Sequence, residues 1–321
     1  MLTLILGPRS VLLIIAAAFA ALPLFANNYL LYVGNVTSIY IILALGLNIV
    51  IGHTGLLTFV NASLFGVGAY TMAALKTWYG VPFALALPLS AIAATLIGTL
   101  IALPALRLSG LYLAMATVAF AQTALWIFLH WDRVTGGPTG IRVTPVDYPF
   151  GMNADIAHYY VSFVFAILVV IFVSNVMRSR IGRAFVAIRE SEVGAESLAV
   201  DVTRFKTMSY ALSAALAGLA GGLFAPLLGL VVPETYDMSQ VIVQFAMIVV
   251  GGLGSVAGSI IGAVVMVWMS EWLRAFKELQ EIAFGAMILL TILFMPGGVV
   301  GLLQQRIWNW REPFHRKARR P

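Results

Sequence analysis

The stretch RSRIGRAFVAIRESEVGAESLAVDVTRFK, residues 178–206, decides how the rest of the chain is arranged. It carries six basic and four acidic side chains, and long apolar runs flank it on both sides. A charged side chain at the centre of a bilayer costs about 2.5–3.5 kcal/mol on insertion scales, so this stretch must lie in water. Its excess of Arg and Lys beside the flanking runs predicts a position on the cytoplasmic side of a membrane.

The middle of this stretch has the spacing of an amphipathic helix. The residues that share its apolar face are Phe185, Ile188, Ala195 and Ala199. Arg189, Glu192 and Glu196 lie at helical spacings that permit ion pairing. Two interpretations are open at this point: the helix is a docking site for a soluble partner, or it belongs to a solvated loop with no partner.

The composition places the remainder of the chain in a membrane. The 321 residues are 61% hydrophobic and only 10% charged, and the mean hydropathy is +0.97. Soluble domains carry about 25% charged residues, so we predict one membrane domain over residues 1–321. The chain has no cysteine, which excludes disulfides and thiolate chemistry. The net charge of +6 comes from basic residues beside the apolar runs, which does not indicate nucleic-acid binding.

The apolar runs predict an all-α polytopic bundle of eight to ten membrane segments. A retained first span is preferred to a cleaved signal peptide for residues 11–26. The predicted segments are residues 11–26, 32–51, 52–75, 82–103, 111–130, 159–177, 207–232, 240–272 and 281–303. We expect 240–272 to form two shorter helices joined at residues 252–255, either as two spans or as a re-entrant hairpin.

The charges beside these segments fix an orientation. With 178–206 inside, both termini and the Arg107 turn fall inside as well, and residues 304–321 become a basic cytoplasmic tail that contacts anionic lipid. Fourteen basic residues then lie inside and five outside, whereas five acidic residues lie inside and eight outside. This asymmetry agrees with the positive-inside rule.

Segment 52–75 is apolar but is broken by glycines and polar residues. Irregular backbone at membrane depth is tolerated only where protein or a water-filled cavity covers it, so this segment is a candidate for lining a pathway. The candidate pathway residues are Asn48, His53, Thr58, Asn61 and Gln122. For Asn48, Asn61 and Gln122 the alternative is hydrogen bonding to backbone that nearby glycines leave free. For His53 the alternative to a proton relay is an interfacial or capping role.

Glycines at intervals of four residues predict close helix packing in lipid. These are Gly218 and Gly222 in one segment and Gly254, Gly258 and Gly262 in another. They carry no information about a solute.

Several chemistries are missing from the sequence. Apart from Glu271 and Glu281 at the ends of two segments, the predicted spans contain no Asp, Glu, Lys or Arg, which disfavours proton-coupled transport. There is no GxxxxGK[ST] motif and no HExxH motif, so we predict no ATP site, metal, cofactor or catalytic residue in this chain. The remaining functions are a permease driven by a partner, and a partner-independent channel or secondary carrier for a small neutral solute.

Five motifs in order carry a family resemblance. They are GLNIVIGHTG with GVGAY in residues 46–70, TGGPTGI at 135–141, GRAFVAIRESEVGAESLAVDVTRFKTMSYALSAALAGLAGGL at 182–223, GGLGSVAGSIIGA at 251–263 and PGGVVGLL at 296–303. Together they resemble the branched-chain amino-acid ABC transporter permeases of the LivM-like branch. The resemblance covers residues 32–303.

The resemblance implies a multi-pass subunit of a bacterial inner-membrane importer. Its partners would be a second related permease subunit, two ATP-binding cassette subunits and a periplasmic substrate-binding protein. The solute would be leucine, isoleucine or valine, or in some relatives urea, a short amide or a small carboxylate. Residues 189–199 would form the coupling helix, seated in a groove of the ATPase. The residues that would couple to the ATPase are Arg183, Arg189, Glu190, Glu192 and Glu196.

The sequence departs from this family at one place. Many members read GQ-x-SLGH where residues 55–61 read GLLTFVN, so that a Gln, a Gly and a His are replaced by Leu56, Val60 and Asn61. If this segment contacts the solute, the solute need not be a branched-chain amino acid.

Overall fold

The computed structural model describes residues 27–105, 110–146, 153–295 and 297–301, together with residues 23 and 108. The predicted segment 11–26, apart from residue 23, and the basic tail 304–321 lie outside the described residues. The described chain is a helical bundle, as its hydropathy predicts. Its helices are α1 (Asn28–Asn48), α2 (Asn61–Thr77), α3 (Phe83–Ala105), α4 (Leu111–His130), α5 (Asp132–Thr135), α6 (Ala154–Arg178), α7 (Arg180–Glu190), α8 (Glu192–Ser197), α9 (Val202–Leu228), α10 (Met238–Gly251), α11 (Val256–Trp272) and α12 (Lys277–Phe294).

Six helical stretches of the described chain are long and apolar enough to cross a membrane. They contain helices α1, α3, α4, α6, α9 and α12. Helices α2, α10 and α11 are shorter, with 17, 14 and 17 residues. Since a helix rises about 1.5 Å per residue, these three are about 21–26 Å long, somewhat less than the hydrocarbon core of a bilayer. The predicted division of 240–272 into two short helices is confirmed.

Several predicted boundaries differ from those of the structure, and two of the differences have a local cause. Helix α9 begins at Val202 rather than at residue 207, because the Asp201 carboxylate accepts a hydrogen bond from the Arg204 amide at 3.0 Å and caps the helix. The predicted helix 189–199 is interrupted at Ser191, whose hydroxyl caps α8 by accepting from the Gly194 amide at 3.0 Å.

The core lies where α9 packs between α2 and α3. A Cβ atom on Gly218 of α9 would lie 2.5 Å from Ala94 Cβ and 2.7 Å from the Ser90 carbonyl oxygen, both on α3. On the other side, a Cβ atom on Gly68 of α2 would lie 2.6 Å from the Gly218 Cα atom. Only glycine permits backbones to approach this closely, which is how small residues bring membrane helices together.

The outer end of the bundle is closed by two loops that pair with each other. Strand β1 (Ile141–Arg142) follows α5, and it pairs antiparallel with β2 (Leu230–Val231), which follows α9. The glycines of the TGGPTG motif make the turn before β1, and Gly140 adopts a φ of +69° directly against Val231. This small sheet was not predicted, because two-residue strands leave no periodic pattern in a sequence.

An aromatic cluster lies beneath this closed end. Tyr236, in the link between α9 and α10, places its ring 5.3 Å from Phe65, 6.0 Å from Tyr70 and 6.5 Å from Phe128. Gly66 makes room for the cluster, because a Cβ atom there would lie 2.8 Å from Phe128 and 3.0 Å from Tyr236. Tyr236 is 2% exposed, and its burial raises the pKa of its hydroxyl well above the usual value of 10.

The close approach of α9 to α3 gives a testable consequence. Gly218→Ala should lower the free energy of unfolding by about 1–3 kcal/mol, because its methyl group overpacks Ala94 and Ser90. Gly285→Ala is the matched control, since nothing lies within 4 Å of a Cβ atom at Gly285 on α12. Thermal unfolding of the purified variants in nanodiscs measures the difference, and equal stability of the two would contradict the packing described above.

Candidate coupling junction and solute pathway

Two breaks in the helices meet at the end of the bundle that carries the charged loop, residues 178–206. The first is a π-helical turn, Ile49–His53, which follows α1, and the second is the link of residues 252–255 between α10 and α11. Asn48 joins them: its amide nitrogen donates to the Ser255 carbonyl at 2.9 Å and to Ser259 Oγ at 2.7 Å. Its amide oxygen accepts from the Gly254 amide at 2.9 Å. We call this contact region the junction.

The junction requires glycine at both breaks. A Cβ atom on Gly52 would overlap the Asn48 side chain and would lie 2.5 Å from the Gly254 nitrogen. Gly254 itself has a φ of +76°, a conformation that residues with a Cβ atom rarely adopt. Asn48 is 1% exposed, so its side chain satisfies backbone groups that lipid could not satisfy.

Arg189 of α7 reaches the junction from the charged loop. Its Nη1 group donates a hydrogen bond to the Gly52 carbonyl oxygen. The aliphatic part of the same side chain packs on Gly55, where a Cβ atom would lie 3.0 Å from Arg189 Cγ. A residue that the sequence assigns to coupling therefore contacts the segment that the sequence assigns to the pathway.

His53 lies at the end of the π-helical turn. It is 7% exposed, and its Nδ1–H group donates to the Asn48 carbonyl oxygen at 3.1 Å. This geometry corresponds to the capping role that the sequence left open. It places His53 beside the junction rather than along a chain of proton carriers.

The charged loop is held to the bundle by a half-buried ion pair. Lys206, on the first turns of α9, is 4% exposed, and its ammonium group lies 2.7 Å from the Glu192 carboxylate of α8. Helical spacing suggested ion pairs among Arg189, Glu192 and Glu196, and these do not form in the described chain. Glu192 forms its ion pair with Lys206 instead, and Arg189 donates a hydrogen bond to the Gly52 carbonyl.

The apolar face of the loop is partly as predicted. Phe185, Ile188 and Ala195 are each at most 2% exposed and pack inward. Ala199 is exposed and has a φ of +60°, because it lies in the turn after α8 rather than within a helix. Arg183, Glu190 and Glu196 face solvent.

The candidate pathway residues do not form one cluster. Asn48 and His53 lie at the junction, whereas Asn61, at the first position of α2, lies farther into the bundle. The Asn61 amide nitrogen donates to Gln244 Oε1 at 2.9 Å, and its oxygen accepts from Ser213 Oγ at 3.2 Å. Thr58 is buried near Asn61 in the irregular segment, and the Val60 amide donates to its hydroxyl at 3.5 Å.

Gln122 stands apart from these residues. It is exposed on α4, where it lines a small outer cavity together with Tyr236 and Asp237. The cavity shares Tyr236 with the aromatic cluster, and Asn61 does not line it.

Sequence reasoning missed three polar residues that the structure makes prominent. Gln240 and Gln244 lie one turn apart on α10 and are 8% and 1% exposed. Gln240 accepts a hydrogen bond from the Tyr40 hydroxyl at 3.2 Å. Their i, i+4 spacing in an otherwise apolar helix is a signal that could have found them. Lys206 was counted as part of a solvated loop, and its burial has no signal in the sequence.

The fold and these sites define a class: a multi-pass membrane protein whose charged loop contacts a broken segment of its own helical bundle. Residues 29–295 match the family model described as branched-chain amino acid transport system / permease component. The chain belongs to this family, and it is a transport permease of the ABC type.

Individual relatives agree with this assignment. The high-affinity branched-chain amino acid permease proteins LivM of Salmonella typhimurium and of Escherichia coli K12 are each 32% identical, over 92% of this chain and 75% of theirs. The permease protein BraD of Pseudomonas aeruginosa is 27% identical over 83% of this chain and 92% of its own. No solved structure was found to match the chain.

A double-mutant cycle can measure the coupling between Glu192 and Lys206. Glu192→Gln should lower the free energy of unfolding by about 1–3 kcal/mol, because it leaves a buried ammonium group unpaired. The loss is smaller than for a fully buried pair, since the Glu192 side chain is 47% exposed. Adding Lys206→Met should restore most of it. The exposed Glu196→Gln is the control, and an additive double mutant would show that the pair is not coupled.

Proposed function

We propose that this chain pairs with a second, related permease subunit in the bacterial inner membrane to form the translocator of an ATP-driven importer. Two ATP-binding cassette subunits drive it from the cytoplasm, and a periplasmic binding protein delivers the solute. The solute is a branched-chain amino acid or a related small molecule. The observation that carries the proposal is the contact of Arg189 with Gly52, since it joins the cytoplasmic loop directly to a broken segment of the bundle.

The surface of the cytoplasmic loop supports an ATPase partner. Val193 and Leu198 are 78% and 76% exposed, although the loop's charge places them in water rather than in lipid. Large apolar side chains exposed to water beside charged residues mark a protein-interaction site. The exposed Glu190 and Glu196 border them, so the partner should offer an apolar groove with a basic rim. We call Glu190, Val193, Glu196 and Leu198 the docking surface.

The inner face of the same loop supports transmission of force. Phe185 and Ile188 pack α7 against the bundle, Lys206 holds α8, and Arg189 holds the junction. A partner that moves the docking surface therefore displaces both breaks together. Packed cores switch between discrete arrangements rather than deforming continuously, which suits rigid-body rocking between inward-open and outward-open states.

The relatives support a pair of related permeases. This chain is similar to proteins named LivM, and also to the probable permease protein LivH of Methanocaldococcus jannaschii, with 27% identity over 83% of this chain. Both names are given to permease proteins of branched-chain amino acid transport. A chain that is similar to both is suited to a dimer of homologous, non-identical subunits.

Reconstitution in liposomes separates this function from a partner-independent channel or carrier. The chain alone should not transport L-leucine. Vesicles that contain the chain with its second permease, the ATPase subunits and the binding protein should accumulate L-leucine when ATP is present. Solute flux through the chain alone, at a rate equal to that of the full complex, would overturn the proposal.

The docking surface gives a sharper prediction. Val193→Asp should reduce co-purification of the ATPase subunits about ten-fold or more, because truncating or charging a central interface residue removes about 2 kcal/mol or more of binding. Val193→Ile, which keeps an apolar side chain, is the matched control. Since Val193 is largely exposed, neither change should affect the thermal stability of the isolated chain. Undiminished ATPase binding by Val193→Asp would show that the partner docks elsewhere.

A further inference from the structure

Helix α2 begins inside the bundle rather than at its surface. The preceding residues 54–60 have no helical structure, and Val60, Asn61, Ala62 and Ser63 are each at most 3% exposed. Asn61 contacts Gln244, and Gln244 precedes the break at Gly252 by two turns of α10. Two turns span about 11 Å, so the start of α2 lies at membrane depth, above the junction.

No negative side chain balances the partial positive charge at the start of α2 in the longer helices that pack against it. The first amides of a helix have no acceptor within the helix and carry about half a positive charge together. Val60 occupies the cap position, and no side chain caps the helix. Helices α3, α4, α9 and α10, which pack against α2, contain no Asp or Glu that could neutralise it.

A second donor lies at the same place. The Gln244 amide oxygen is used by Asn61, whereas the Gln244 amide nitrogen has no hydrogen-bond partner among the described residues, although the residue is only 1% exposed. The Gln240 amide nitrogen, one turn away, is also unpartnered within the described chain. Buried polar groups of proteins are normally paired, so unpaired donors beside a bare helix terminus indicate that an acceptor binds there.

We propose that the first turn of α2 and the Gln244 amide form a subsite for the carboxylate of the transported solute. A carboxylate accepts hydrogen bonds only, and the N-terminus of a helix favours negative charge. The solute class is therefore a small carboxylate, including neutral zwitterionic amino acids, rather than urea or an amide. This inference rests on the proposed transport function for its role, but the binding chemistry can be tested without transport.

The absence of cysteine from the chain makes the test direct, since an introduced thiol is the only one in the subunit. We would place Gln244→Cys in the assembled complex in nanodiscs, where reagents approach from both sides. Its rates of reaction with an anionic and a cationic methanethiosulfonate of similar size are compared. The same two rates at Tyr79→Cys, which is 74% exposed in the loop after α2, supply the reference ratio.

The anion-to-cation ratio at Gln244→Cys should exceed the ratio at Tyr79→Cys by about five-fold or more, since a helix N-terminus attracts the anion and repels the cation. An equal or lower ratio overturns the subsite, and so does a Gln244→Cys thiol that neither reagent modifies. This readout needs neither ATP nor uptake, so it is unaffected if the proposed transport function fails.

A pair of substitutions at Asn61 tests the role in transport. Asn61→Asp places a competing carboxylate on the helix terminus and should reduce ATP-dependent L-leucine uptake by the full complex ten-fold or more. Asn61→Ser removes the same amide without adding charge, and its uptake should exceed that of Asn61→Asp by about five-fold or more. Co-purification of the partner subunits checks assembly of both variants. Equal uptake by the two overturns the proposal, whereas a wild-type complex without uptake contradicts the proposed function and leaves the thiol result standing.

Discussion

The hydrogen bonds of Asn48 are the interaction on which the architecture depends. In hydrocarbon every backbone N–H and C=O group must be satisfied within the protein, and a broken helix leaves several of them open. One amide side chain satisfies the Gly254 amide and the Ser255 carbonyl, and it thereby fixes the end of α1 to the link between α10 and α11. Without it, neither break could remain at this depth, and the three helices would lose their common attachment point.

This constraint also explains why a cytoplasmic element can act on the membrane interior. The Gly52 carbonyl is free to accept from Arg189 because the π-helical turn interrupts the regular ladder of α1. Single π-helical turns are rare and are found mostly at functional sites. The break therefore serves two purposes: it lets the chain turn back toward α2, and it exposes a backbone acceptor to the loop. Glu192 and Lys206 add a second attachment, so the loop is held at two points.

The sequence predicts those parts of the fold that depend on summed properties. Hydropathy locates the long spans such as α4, and the glycine spacing indicates where backbones approach closely. Properties of single residues are harder to predict. The cap at Ser191 divides a helix, although the amphipathic pattern of the sequence continues across it. The charge of Lys206 predicts a solvent-exposed side chain, and only the structure shows that Glu192 pairs with it. Gln240 and Gln244 have little effect on the average hydropathy of a sequence window, because most residues of α10 are apolar.

A bundle that has no charged side chain around the start of α2, with Lys206 confined to the loop end of α9, is suited to moving a charged group of a solute. An Arg or Lys at this depth would be costly to bury, and it would hold a carboxylate strongly. The N-terminus of α2 offers only partial charge, which the folding of the helix itself supplies. Gln244 adds a neutral donor rather than an ion. Transport requires binding that is favourable enough for entry and weak enough for release. Backbone dipoles and amides at a broken helix meet both conditions, which is the physical advantage of breaking a helix inside a membrane.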